Sequence, residues 1–450
     1  MASADHSTKV DNRPSPPVQE TRTQTLSVLQ ASSLLVGIVV GIGIFQTPPI
    51  IAGNVPNEAA YIGVWIAGGL LTLIGALCYA ELSSTYPNSG GEYHYLTRAY
   101  GKPLSFLFAW GRMTVMQTGA IAAVAFVYGD YAGTLLPLGP YGAAIHGALA
   151  ILVLSFLQLA GTELSGRAQF VLTVLTVSVV GLVALCGFIA GPQPSAGEPI
   201  SGSGAIGLAM VFILLSYGGW NEAAYVSGEV KDPQRNMVRV LLLGTAAVMA
   251  IYLLVNIALL HMLGLSGLRQ ASAVMTQPIE RIFGSAGAIL FALIVCIAAL
   301  STLNATIFTG ARSSQALGND FKAFAWLGQR SPSNGTPANA LIFQLAIALA
   351  LVVAGSQARS GFKAMVEYTA PAFWTFMLLI GVSVFLFRMR EPDRPVAFRV
   401  PLYPITPLIF CLTSLYLLDS SIRYTGTGAL VGIAILAAGI PLYLYGRARG

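Results

Sequence analysis

Two short stretches hold the groups best suited to chemistry, and in both those groups are backbone. The first, "LLVGIVVGIGIFQTPP" at 34–49, sets Gly37, Gly41 and Gly43, then Pro48-Pro49, inside an uncharged run. The second, "FILLSYGGWNEAAYVSGEV" at 212–230, begins apolar and then carries Gly218-Gly219, Trp220, Asn221 and Glu222. Glycine weakens a helix by about 1 kcal/mol relative to alanine, and proline cannot extend one. A helix interrupted in lipid frees amides and carbonyls, which is tolerated only where they line a cavity or meet a ligand. Amides at the start of a half-helix suit a carboxylate, and freed carbonyls suit an ammonium or a cation. Two facing breaks would therefore clamp both charged ends of an amino acid. A competing reading makes Gly37-xxx-Gly41 a close helix-packing motif. Matching breaks in both stretches weigh against packing alone.

The polar side chains near these breaks are few. Glu222 follows the second break directly and is a candidate for selectivity or gating: it titrates, pairs with a cationic substrate, or sits in a wet vestibule. Gln117 and Thr118 in the third apolar run are candidates for facing a substrate side chain, and Asn304 in the eighth for hydrogen bonding across a bundle. Glu81 and Glu229 are expected near the cytoplasmic surface, with Arg98 or Arg235 as partners. His146 and His261 stand alone on apolar runs and His94 in a polar loop, where a structural role outweighs a proton relay. There is no Walker A run, HExxH or GxSxG, so no enzyme is expected.

The elements that must position these residues are membrane spans. Of 450 residues, 55% are hydrophobic and only 9% charged. The mean hydropathy is +0.71. Soluble proteins carry about 25% charged residues. Runs free of Asp, Glu, Lys and Arg near 26–52, 59–80, 113–129, 141–162, 168–197, 199–221, 240–268, 282–311, 338–358, 368–387, 400–418 and 424–446 predict twelve transmembrane helices. The third is expected to begin near Leu104, with Arg112 inside its cytoplasmic end. If both termini are cytoplasmic, nineteen of the 24 Lys and Arg residues fall inside, which follows the positive-inside rule. The net charge of +6 is thus explained by topology rather than by nucleic acid.

The organisation expected is a disordered cytoplasmic tail at 1–24, a first five-helix repeat at 25–198, an inverted second repeat at 199–390, and helices 11 and 12 at 391–450. Each repeat opens on a broken helix, the sequence pointer to a secondary-transporter site near the bilayer midplane. Cys78, Cys186, Cys296 and Cys411 fall in four separate apolar runs and are expected to pack in the core.

"GIVVGIGIF", "CYAELSSTYPNSGGEYHYLTRAYG" at 78–101, "SYGGWNEAAYVSGEVKDPQRN" at 216–236, "STLNATIFTGARSSQALGND" and "FRMREPDRPVAFRVPLYPITP" occur in order along the chain. Together they resemble the amino acid–polyamine–organocation superfamily, in particular its L-type amino acid transporter-like branch, over about residues 26–410. The resemblance implies an all-α LeuT-type fold, a five-plus-five inverted repeat with helices 1 and 6 broken. It implies that backbone amides around Gly41, Ile42 and Gly43 hold the substrate carboxylate, and that carbonyls near Ile38 and at Tyr217, Gly218 and Gly219 take the amino group. Trp220 lies where such proteins place a bulky gate; packing against a neighbouring helix is its other reading. Two departures stand out. Ile42 replaces a frequent serine, and a lysine frequent in the fifth helix falls at Thr176. Without that lysine, Thr176, Ser301 and Asn304 form a candidate cation site. Na+ or H+ are the candidate coupling ions; no metal ligand set and no other cofactor is expected.

The expected activity is secondary active transport of neutral L-amino acids by alternating access, through exchange or ion-coupled uptake, in the inner (plasma) membrane. A cationic amino acid or polyamine antiporter with Glu222 as counter-charge is the rival within that class. A non-transporting amino acid sensor is the rival outside it. The partners expected are a small amino acid and the lipid bilayer, with the oligomeric state left open.

Overall fold

The computed structural model describes residues 26–41, 43–192, 206–270, 276–284, 286–332, 335–424 and 427–448. The expected tail at 1–24, and Ile42, lie outside the described residues. In chain order the helices are α1 (Val28–Val39), α2 (Gly43–Asn54), α3 (Glu58–Thr85), α4 (Glu92–Tyr100), α5 (Lys102–Gly111) and α6 (Gln117–Leu135). A π-turn, Arg112–Met116, joins α5 to α6. Then come α7 (Gly142–Ala160), α8 (Thr162–Ala190), α9 (Ile206–Ser216) and a 3-10 segment, Trp220–Val226. The chain continues through α10 (Pro233–Gln270), α11 (Thr276–Phe283), α12 (Ala286–Asp320), α13 (Ala325–Gly328), α14 (Ala338–Gly355), α15 (Gly361–Arg390), α16 (Ile405–Tyr424) and α17 (Thr427–Ala448).

Among the described residues, nine helices are long and apolar enough to cross a membrane, or ten with the bent α1–α2 pair taken as one span. Their outer faces leave Val153, Phe156, Ile189 and Val353 more than half exposed, the lipid-facing surface of such a bundle. The chain is therefore a multi-pass membrane protein. No β-ladder forms among the described residues; Leu26 and Val230 make an isolated bridge that ties the approach to α1 to the exit of the 3-10 segment.

Local signals place the helix starts. Ser27 and Gln30 form a capping box at α1. The Asn57 side chain accepts from the Ala60 amide at 2.8 Å at the start of α3, where Glu58 occupies the positive end of the helix dipole. The prolines behave differently from the sequence expectation. α2 continues through Pro48 and Pro49 to Asn54, and the interruption falls before Gly43. The Thr47 hydroxyl donates to the Gly43 carbonyl at 2.9 Å, one turn back in the same helix.

α1 packs on α8, α10 and α12, while α2 packs on α9 and α10. α10 is itself kinked at Gly264, where φ is +60°. Cys78, Cys186 and Cys296 are buried and Cys411 half-buried, all as free thiols.

Candidate functional site

The first break bends α1 against α2 by 50°. The Val40 amide still reaches the Val36 carbonyl at 2.7 Å, but the Gly41 amide closes a tighter turn onto Val39 at 2.7 Å. Close approach explains the glycines here. A Cβ on Gly41 would lie 2.3 Å from Thr302 Oγ1, and one on Gly43 would lie 2.8 Å from Ser216 Cα.

The second break begins where α9 ends at Ser216. The Gly218 amide turns back onto the Leu215 carbonyl at 3.0 Å, and Gly219 takes φ +106°, a left-handed conformation disfavoured for residues with a Cβ. The chain then tightens into the 3-10 segment. A Cβ on Gly219 would lie 2.9 Å from Ile38 Cγ2, so the two breaks are in direct contact. The Thr47 and Ser216 hydroxyls share a hydrogen bond of 2.7 Å between them.

Tyr252 on α10 reaches both breaks at once. Its hydroxyl lies 2.7 Å from the Val39 carbonyl and 3.0 Å from the Ser216 carbonyl and donates toward both. The ring is fully buried against Tyr217 and Trp65, at centroid distances of 5.0 and 5.9 Å. Sequence reasoning missed Tyr252. Its only signal was a hydroxyl within an otherwise apolar stretch of the seventh run. Thr302, whose buried hydroxyl has no partner beside Gly41, was also missed, although Ser301 and Asn304 near it in the sequence were named.

Of the residues expected to hold substrate, Ile38, Gly41, Gly43, Tyr217, Gly218 and Gly219 gather around this junction. Trp220 is directed away from it. Its indole packs edge-on against Tyr79 at 4.8 Å and Phe410 at 6.2 Å, over Gly75.

Glu222 lies in a buried charge cluster. Arg112 donates to both of its carboxylate oxygens, at 2.8 and 2.7 Å, and also to Ser313 Oγ at 3.2 Å. The same guanidinium lies 3.5 Å from Glu92 and stacks 4.2 Å above the Tyr225 ring. Glu92 accepts from the Tyr79 hydroxyl at 2.5 Å, the Tyr225 hydroxyl at 2.8 Å and Asn221 Nδ2 at 3.0 Å. It belongs to α4, between spans. Burial pushes its carboxyl above the usual carboxylate range, with the Arg112 charge pulling the other way. Glu92 was not singled out from the sequence. Arg112 gave the available signal, since a charge within a span requires a partner. The other acids also chose partners far along the chain: Glu81 binds Arg388 at 2.6 Å and Glu229 binds Arg312 at 3.0 Å, in place of the expected Arg98 or Arg235.

The candidate cation site is a neutral hydrogen-bond network. Thr176 Oγ1 donates to its own helix, at the Leu172 carbonyl, 2.8 Å away. Gln169 Nε2 donates to Ser301 Oγ at 3.1 Å and to Thr173 Oγ1 at 3.2 Å. Asn304 Nδ2 donates to Gln169 Oε1 at 3.0 Å, and Asn304 Oδ1 accepts from Gln158 at 2.9 Å. Ser301 and Asn304 are thus brought together, but by Gln169 rather than by Thr176.

Gln117 points to α12, donating to the Thr306 carbonyl at 2.8 Å and Thr309 Oγ1 at 3.0 Å. The Thr118 hydroxyl is buried without a partner. His146 has a structural partner, the Leu136 carbonyl at 2.8 Å, and His261 lies against Phe188.

A model of the amino acid permease family matches residues 26–436. The chain is 29% identical over 406 residues to the b(0,+)-type amino acid transporter 1 of Mus musculus, covering 87% of this chain and 81% of the relative. It is 28% identical over 434 residues to the serine/threonine exchanger SteT of Bacillus subtilis, covering 94% and 97%. It is 27% identical over 439 residues to the large neutral amino acids transporter small subunit 2 of Mus musculus, covering 94% and 80%.

Proposed function

Because the chain belongs to the amino acid permease family, whose members are transporters and not enzymes, we propose that it exchanges neutral L-amino acids across the plasma membrane by alternating access. The observation that carries this reading is the junction of the two breaks, where the Val39 and Ser216 carbonyls converge on one hydroxyl. Carbonyls that a break leaves outside helical pairing suit a substrate ammonium, and the Gly43 amide, which opens α2, suits its carboxylate. Glu222 is already engaged by Arg112, which favours a neutral substrate over the cationic or polyamine alternative. The names of two relatives, a serine/threonine exchanger and a large neutral amino acids transporter small subunit, point the same way.

The proposed architecture is twelve spans with cytoplasmic termini, the inverted five-plus-five repeat running over 25–198 and 199–390. Its support is the break that opens each half, together with two further helical stretches. Adding the rod from α5 through the π-turn to α6, and the apolar helix within α17, brings ten spans to twelve. The neutral Gln169–Ser301–Asn304 network supports exchange without sodium. Its oxygens are already in hydrogen bonds that a cation would have to replace.

The test is uptake of labelled serine, alanine, leucine and arginine into proteoliposomes. Uptake is expected to rise at least tenfold when the lumen holds unlabelled serine, and to ignore sodium and proton gradients. Concentrative uptake into empty vesicles under a sodium gradient would replace exchange by ion coupling. Ligand binding with no flux would favour the sensor.

Tyr252→Phe removes the hydroxyl that holds the two breaks together. Losing one or two hydrogen bonds of about 1 kcal/mol each predicts a KM for exchange raised about tenfold. The maximal rate should change less. A fall in maximal rate at constant KM would assign Tyr252 to folding alone.

A further inference from the structure

α3 and α15 end side by side, and the chain between Glu391 and Pro404 folds over their ends before entering α16. This arrangement encloses a cavity of about 340 Å³ that no part of the transport reading uses. Leu82, Val384, Phe387 and Val396 give it apolar walls, and Arg388, Arg394 and Arg399 line it with charge.

The charges do not balance. Arg388 is held by Glu81, which also accepts from the Val400 amide at 2.6 Å. Glu391 is shared by two cations, Arg98 at 3.0 Å and Arg394 at 3.2 Å, whose guanidinium groups both stack on Tyr86, at 4.8 and 4.4 Å. The Arg98 hydrogen bond, the largest influence on Glu391, holds it below the usual carboxylate range. Arg399 is exposed and has no carboxylate partner among the described residues. Two carboxylates therefore serve four guanidinium groups. Asp393, the other acid of this loop, is exposed and does not line the cavity.

The surroundings are apolar as well as positive. Tyr403 lines the cavity, and its neighbours Leu402 and Ile405 are 76% and 56% exposed. Exposed aliphatic side chains at the start of a membrane helix face acyl chains. A guanidinium offers a phosphate two parallel donors, and basic pockets between helices at the membrane surface suit anionic headgroups.

We propose that this cavity binds an anionic phospholipid, its phosphodiester held by Arg394 and Arg399 and an acyl chain lying against Leu402 and Ile405. A lipid is favoured over a soluble phosphate because the walls and the flank are apolar and the surplus charge sits where the helices meet the membrane surface.

The test uses the full chain, delipidated in detergent, in thermal melts and native mass spectrometry. Phosphatidylglycerol, phosphatidylcholine, inorganic phosphate and glycerol 3-phosphate are titrated separately. Phosphatidylglycerol is expected to raise Tm and to remain bound, with phosphatidylcholine and both soluble anions without effect. Arg399→Gln is exposed, so folding should tolerate it. It should weaken phosphatidylglycerol binding about fivefold, the effect of removing one cation near a charged membrane surface, and the Arg394→Gln/Arg399→Gln double variant more. Equal responses to the two lipids, or unchanged phosphatidylglycerol binding in the double variant, would overturn the proposal. A Tm rise with inorganic phosphate matching that with phosphatidylglycerol would overturn the lipid assignment in favour of a soluble anion.

Discussion

Arg112→Gln is expected to abolish amino acid transport and to lower the thermal stability of the purified protein far more than Glu222→Gln does. The asymmetry follows from the charge count in the buried cluster. Two carboxylates, Glu92 and Glu222, face one guanidinium that is only 3% exposed. Removing the cation leaves two acids buried together without a counter-charge, and breaking a buried pair in this way costs about 3–5 kcal/mol. Removing Glu222 instead leaves Arg112 beside Glu92, a neutral pair still served by Tyr79, Tyr225 and Asn221. Arg112→Lys should not rescue the loss, because one ammonium cannot reproduce the fork onto both Glu222 oxygens together with the contact to Ser313. The cluster joins α4, the π-turn and the 3-10 segment, so damage there reaches the second break. Melting curves of the three variants, with serine exchange in proteoliposomes, decide the matter. Equal destabilisation by Arg112→Gln and Glu222→Gln would refute the charge-count argument.

The second large effect is expected at the two glycines of the first break, and the two should differ in whether they can be rescued. Gly41→Ala sets a methyl group 2.3 Å from Thr302 Oγ1, while Thr302 Cβ is 3.4 Å away. Thr302→Ala removes the atom in conflict, and that hydroxyl has no hydrogen bond to lose. The Gly41→Ala/Thr302→Ala double variant should therefore regain most of the transport lost by Gly41→Ala alone. Gly43→Ala meets Ser216 Cα at 2.8 Å, a backbone atom that no side-chain substitution can remove. It should reduce transport at least a hundredfold, and Ser216→Gly should not restore it. A double-mutant cycle on exchange rate, normalised to purified protein, measures the coupling directly. Additive effects at 41 and 302 would mean that the two helices do not meet as described.

Much of this was legible before any coordinates. Low charge and long apolar runs announced a membrane protein. Glycine pairs in the first and sixth runs marked the interruptions within a few residues, through the left-handed φ that Gly219 adopts in the sixth and the absence of a Cβ where Gly41 and Gly43 meet Thr302 and Ser216 in the first. The prolines were the misleading local signal. Pro48 and Pro49 lie within a continuous α2, and the tight approach of α2 to Ser216 and α10 maintains a helix that propensity alone would have ended.

The sequence by itself determined that the chain enters a bilayer and where its helices interrupt. These properties depend on composition and on spacing over a few residues. Only the tertiary structure decided the partners. Arg112 meets Glu222 across 110 positions, Arg388 meets Glu81 across 307, and Tyr252 meets Val39 across 213. A buried charge or hydroxyl must find a complement, so its residue type states the need. Which complement meets that need depends on which helices pack together, and the packing is set by the summed contacts of whole helix faces rather than by the residues around any one of these groups.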